Sequence, residues 1–154
     1  MDVNVRSVDI DEIIRDYKSL LEDVEMLPLR VSGNSMSPFL RHGKDTIYMS
    51  KITEELKKGD IVFFTRINGQ HVLHRICRVN DGTYDIIGDG QNVIEPGIRR
   101  EQIFAIVNQV ERNGRILKKG TFIWDFFQKV WIRVIPLRPY LRRIYGVFRR
   151  ITGR

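Results

Sequence analysis

Cysteine is almost missing from this 154-residue chain, with Cys77 the single example. One thiol excludes an intrachain disulfide and any paired-cysteine zinc or redox site, and Cys77 reads as a small core residue. Histidine is scarce too. His42, His71 and His74 lack usable metal-ligand spacing, so neither a metal nor a cofactor is expected. Long apolar runs are also missing. The most hydrophobic stretch, Phe122 to Phe148, is broken by charge every few residues and falls short of the ~18 uncharged apolar residues a spanning helix needs. The opening segment, MDVNVRSVDIDEIIRD, is acidic and has no apolar core of signal-peptide length. These absences read as a cytoplasmic product that can lie on a membrane surface without crossing it.

What is present is unevenly distributed. Hydrophobic residues make up 42% of the chain, enough for a packed core and against wholesale disorder. Lys and Arg number 26 against 19 Asp and Glu, a net charge of +7. Residues 1–123 carry 18 bases and 18 acids, so the whole excess falls in residues 124–154, where eight bases face the one acid Asp125. A neutral body thus carries a strongly cationic tail.

Three regions follow. Within residues 1–28, Ile10, Ile13, Ile14, Tyr17, Leu20, Leu21 and Val24 recur at helical spacing. This predicts an acidic amphipathic helix over residues 8–26, opened by a capping box of Asp9 and Glu12 and stopped by Pro28. Residues 29–120 read as β. Asn68-Gly69, Asp81-Gly82 and Asn113-Gly114 are hairpin dipeptides. Between them lie β-forming runs at Thr46–Met49, Asp60–Thr65, Gln70–Val79, Thr83–Ile87 and Ile103–Val110. The fold class is therefore mainly β, a barrel-like or folded sheet. Residues 121–154 alternate aromatic or aliphatic residues with arginine, and Pro136 and Pro139 predict two short helices there.

The chemistry concentrates in four short motifs. In Gly33-Asn34-Ser35-Met36-Ser37-Pro38, glycine permits a sharp turn or close substrate approach and proline stiffens the exit. Ser35 there is a candidate nucleophile, and serine needs a base. Gly59-Asp60-Ile61-Val62 opens a strand. In Val72-Leu73-His74-Arg75-Ile76, period two places Val72, His74 and Ile76 on one face. That partly desolvated setting favours the neutral imidazole that can accept a serine proton. In Gly88-Asp89-Gly90-Gln91-Asn92, Asp89 can orient the imidazole. His42 and His71 receive no role.

In that order and spacing, G-N-S-M-S-P, G-D-I-V, L-H-R-I and G-D-G-Q-N resemble the type I signal peptidases over about residues 30–110. The bacterial enzymes and their self-cleaving repressor relatives place a lysine where this chain has His74 before Arg75. The chain is thus similar to the endoplasmic-reticulum and archaeal branch, which pairs serine with histidine. The resemblance implies a domain of coiled β-sheets and a groove that binds an extended peptide as an added strand. It implies Ser35 as nucleophile, His74 as general base, Asp89 as supporting acid, and Gly33, Met36 and Pro38 at the substrate. The Ser35 N–H is the implied first oxyanion donor. Gly33 stands where some bacterial members add a serine hydroxyl. The branch's second aspartate has no counterpart, and Glu95 is the carboxylate in reach. A transmembrane helix normally precedes the serine motif, and the acidic helix occupies that place here.

The implied activity is serine endopeptidase cleavage of leader or signal peptides. An inactive relative that binds extended peptides is an alternative. A membrane-surface or nucleic-acid-binding module acting through the basic tail is another. Self-cleavage at an Ala-Gly or Cys-Gly bond has no site, because Ala105 precedes Ile106 and Cys77 precedes Arg78. The tail can lie on an anionic membrane or dock on the body or on the acidic helix. Its apolar content argues against nucleic acid.

Overall fold

Each of the three predicted hairpin dipeptides turns the chain in the structure, a computed structural model that describes residues 10–141, 143 and 144. Helix α1 (Ile10–Asp23) is followed by β1 (Leu27–Arg30), β2 (Thr46–Ser50), β3 (Ile61–Thr65), β4 (His71–Val79) and β5 (Thr83–Ile87). Then come β6 (Glu95–Arg99), β7 (Ile103–Arg112), β8 (Arg115–Lys118) and helix α2 (Phe122–Lys129). Asn68-Gly69 joins β3 to β4, Asp81-Gly82 joins β4 to β5, and Asn113-Gly114 joins β7 to β8. Asn113 (φ 50°) and Gly114 (φ 73°) are both left-handed, as a two-residue hairpin with the right strand twist requires.

The strands form one antiparallel sheet in the order β1-β2-β7-β3-β4-β5-β6, with β8 also on β7. The long β7 carries β3 and then β8 along one edge and β2 along the other. Register shifts at Tyr48/Met49, Phe63/Phe64, Ile76/Arg78 and Tyr84/Ile86 bend the strands. Such bulges coil a sheet so that both faces can be covered. β3 shows the result, since Ile61 and Phe63 enter one apolar cluster with Ile47, Met49 and Trp124. Val62 and Phe64 enter a second with Val72, Ile76 and Ile86. A strand buried on both faces has no reason to alternate in polarity.

Several boundaries differ from the sequence reading. The first helix ends at Asp23, and Pro28 lies inside β1, at the end of the sheet, where a missing N–H is tolerated. Leu21 buries into the first cluster, and the Tyr17 hydroxyl donates to the Pro28 carbonyl at 3.1 Å. Asp9 of the predicted capping box lies outside the described residues. The short strands β1, β6 and β8 have no pattern of their own, and their partners supply the pairing.

The C-terminal region divides into helical pieces, with α2 ending before Val130, a kink at Val134 two residues before Pro136, and α-helix resuming at residue 138 beside Pro139. α2 passes into a 3-10 segment, Trp131–Leu137, that contains Pro136 and is kinked at Val134 (φ −98°, ψ 21°). Among the described residues, the region packs on the body, where Trp124 shares a core cluster with Leu21 of α1. Trp124 is buried against Phe39, edge to face with centroids 5.5 Å apart. Gln128 lies so close to Gly59 that a Cβ there would come within 2.4 Å of its Cγ. Among the described residues no helix is long and apolar enough to cross a membrane.

Candidate active site

Ser35 sits in the turn-rich connection between β1 and β2, and apolar anchors hold that connection in place. Met36, Phe39 and Leu40 all bury into the first core cluster. The buried Asp45 carboxylate accepts from Arg112 Nε at 2.9 Å and from the Arg41 N–H at 2.9 Å. The Gly33 N–H donates to His42 Nδ1 at 2.9 Å, so His42 ties the start of the loop to its end. The Ser37-Pro38 bond is cis. Ser35 itself is half-buried.

The Gly88-Asp89-Gly90 turn lies directly against this loop. The Gly90 N–H donates to the Ser35 carbonyl at 2.8 Å. A Cβ on Gly88 would stand 2.5 Å from the Ser35 oxygen, and one on Gly90 would stand 2.7 Å from the Ser37 oxygen. Real side chains do not approach carbonyl oxygens that closely, so both positions need glycine for backbone-to-backbone packing. The two glycines therefore buttress the serine loop.

His74 projects from the middle of β4 and is 1% exposed, on the same face as Val72 and Ile76 as period two requires. Its Nδ1 lies 3.1 Å from Glu95 Oε1 on β6. Glu95 is gripped in turn by Arg66, with Nε to Oε2 and Nη2 to Oε1 both at 2.6 Å. Burial holds the His74 pKa below the ordinary histidine value, Glu95 pulls it back up, and Arg66 pushes it down. The hydrogen bonds from Arg66 hold Glu95 below the usual carboxylate range. A neutral His74 whose Nδ1–H donates to a carboxylate carries its lone pair on Nε2.

Asp89 does not have the place the sequence reading assigned to it. Its carboxylate is turned to Arg75, with Nε to Oδ1 at 2.9 Å and Nη2 to Oδ2 at 2.8 Å. Both side chains are fully buried. Arg75 also donates to the Gly59 carbonyl at 2.8 Å, linking the G-D-I-V, H-R and G-D-G motifs. Neighbouring residues on a strand face opposite ways, so Arg75 and Asp89 lie behind the sheet while His74 and Glu95 form their own pair. The acid on the imidazole is Glu95, and Asp89 is part of the frame. Asp89 has no signal in the sequence that separates these roles. Arg66, absent from the sequence reading, is placed by the β3–β4 hairpin.

Ser35 and His74 line the same groove, a space of about 570 Å³ also bordered by Gly33, Met36, Arg30 and Arg66. Pro38 is exposed and not among its lining residues. Apolar Leu29, Ile47 and Phe63 furnish much of the wall. His71, in the same lining, bonds to Thr65 Oγ1 at 2.9 Å. Cys77 is buried, its thiol on the Asp85 carbonyl at 3.2 Å; burial raises its pKa, away from nucleophile duty.

No curated protein sequence matches the chain. A family model described as Peptidase S24-like matches residues 5–113, a span that holds the Ser35 loop, the His74 strand, the Gly88-Asp89-Gly90 turn and Glu95. With that match over more than half of its length and the β fold around the groove, the chain belongs to the Peptidase S24-like family.

Proposed function

We propose that the protein is a serine endopeptidase that cuts leader or signal peptides bound in the groove. The observation that supports this most is the sharing of one groove by Ser35 and a buried His74 whose Nδ1 is tied to Glu95. In this reading Ser35 Oγ attacks the scissile carbonyl and its proton passes to His74 Nε2. The Ser35 N–H donates to the developing oxyanion. The C–N bond then breaks, and the amine departs with the proton from His74. Water attacks the remaining ester, giving one proton to His74, which returns it to Ser35 as the acid product leaves. The substrate lies extended beside β1, whose residues Leu29 and Arg30 border the groove, as a strand added to the end of the sheet.

The test compares wild type, Ser35→Ala and His74→Ala on a panel of leader peptides, with products read by mass spectrometry. Cleavage by wild type alone is expected. Equal cleavage by all three, or cleavage of no peptide by any, overturns the reading; binding without cleavage would leave a peptide-binding relative.

A second reading concerns the C-terminal region as a contact with anionic lipid. Phe122 and Phe126 on α2 and Val130 at its C-terminal end recur at i, i+4 and i+8, all exposed, on the side away from buried Trp124. Lys129, Arg133 and Arg143 of the same region are exposed, and each base near such a surface contributes ~1 kcal/mol. A chain in which all three apolar residues become serine is expected to lose sedimentation with vesicles containing phosphatidylserine. Unchanged sedimentation would remove this reading. Truncation is the wrong instrument, because it would also remove Trp124 from the core.

A further inference from the structure

The loop that buttresses Ser35 is itself held from behind by residues beyond the family match. Trp131 Nε1 donates to the Asp89 carbonyl at 2.9 Å. Arg138 Nη1 donates to the Gly88 carbonyl at 3.0 Å and to the Gln91 carbonyl at 3.1 Å. Arg138 Nη2 reaches the Trp131 carbonyl at 3.3 Å, and its guanidinium lies 5.3 Å from the Trp131 ring centroid. Arg138 is 0% exposed, and a guanidinium taken out of water needs oxygens arranged around it. Here the backbone of residues 88–91 supplies them. Three carbonyls of one short turn are thus fixed by two side chains, while the Gly90 N–H of the same turn holds the Ser35 carbonyl.

We infer that Trp131 and Arg138 are positioning residues for the Ser35 loop, so that docking of the C-terminal region completes the site. Both side chains lie beyond the family match, which ends at residue 113. Gly59 is built for the same docking, since Gln128 of α2 occupies the space a Cβ there would take. The inference rests on Ser35 being the nucleophile for its catalytic consequence. Its structural half, that the turn transmits the hold to the loop, stands independently of that reading. Misplacement of a reacting group by about 1 Å costs on the order of 10²-fold in rate, so a loosened buttress acts on kcat before it acts on binding.

The experiment uses the full chain as wild type, Trp131→Phe, Arg138→Lys, Arg138→Ala and, as a surface control, Leu137→Ala. Trp131→Phe keeps the ring and removes one N–H, so it remains informative if Arg138→Ala does not fold. Amide hydrogen exchange is read at Gly90 and Ser37, and kcat and KM on a cleaved leader peptide. Expected for Trp131→Phe is exchange at Gly90 faster by about tenfold, the scale of one lost hydrogen bond. A lower kcat with KM within about twofold accompanies it, because positioning and not uniform binding is lost. Guanidinium ion is expected to restore part of the Arg138→Ala rate. Wild-type exchange at Gly90 in the folded variants overturns the inference, as does faster exchange with unchanged kcat. If wild type shows no Ser35-dependent cleavage, the peptidase reading fails and the exchange result alone decides whether the turn is held.

Discussion

His74 on β4 and Glu95 on β6 form a close pair, Nδ1 to Oε1 at 3.1 Å, with the imidazole buried and the carboxylate partly exposed. Arg66 fixes the carboxylate from its other side. The hydrogen bond keeps one tautomer, and burial keeps it neutral near pH 7. Asp89, nearer in sequence, serves Arg75.

The pH dependence of cleavage tests this arrangement. Burial lowers the His74 pKa, so the base is lost to protonation only below the ordinary value of ~6.5, and the acid limb of kcat/KM lies below that pH. Glu95 raises the His74 pKa and Arg66 lowers it. Glu95→Gln should therefore move the limb to lower pH, and Arg66→Met should move it higher. Glu95 stays charged across this range because Arg66 depresses it. Shifts in the same direction for both variants, or none, would contradict the triad of Arg66, Glu95 and His74.

Asp89 and Glu95 should separate in stability. Asp89→Ala leaves Arg75 buried without its carboxylate, a loss of about 3–5 kcal/mol measurable by urea denaturation. Glu95 is partly exposed, and Glu95→Gln should cost about 1 kcal/mol or less while lowering kcat. Equal destabilisation by the two would argue against the division of roles.

Gly88→Ala and Gly90→Ala push on the carbonyls of Ser35 and Ser37. Overpacking of this kind costs about 1–3 kcal/mol, and the displaced serine should lower kcat by roughly 10²-fold. Cleavage kinetics beside a thermal melt read both. Wild-type kcat in Gly90→Ala would show that the buttress does not matter.

Docking of the C-terminal region predicts different outcomes for two aromatics only two positions apart. Trp124 is fully buried, and Trp124→Ala should cost about 3–5 kcal/mol. Phe122 is 84% exposed, and Phe122→Ala should stay within about 0.5 kcal/mol. Denaturant midpoints compare them directly.

The hairpins at residues 68–69, 81–82 and 113–114 were legible because Asn-Gly and Asp-Gly carry their own backbone preference. The face shared by Val72, His74 and Ile76 was legible because strand alternation is local. β1, β6 and β8 were not, since a four- or five-residue strand with proline or flanking charge draws its stability from its partner. The kink at Val134, two residues before Pro136, was not legible, because it accompanies burial of Trp124, Trp131 and Ile132, which no local signal carries.

Composition, turn dipeptides and motif order alone determined the β class, the candidate serine and histidine, and the separation of a neutral body from a cationic tail. Those properties are local or additive along the chain. Tertiary structure decided which carboxylate meets His74, which cation Asp89 pairs with, and how residues 122–138 dock on the body. Each of these is a pairing between residues 14 to 50 positions apart. A carboxylate's role depends on which cation or imidazole shares its buried space, and that neighbour is chosen by the coiling of the sheet.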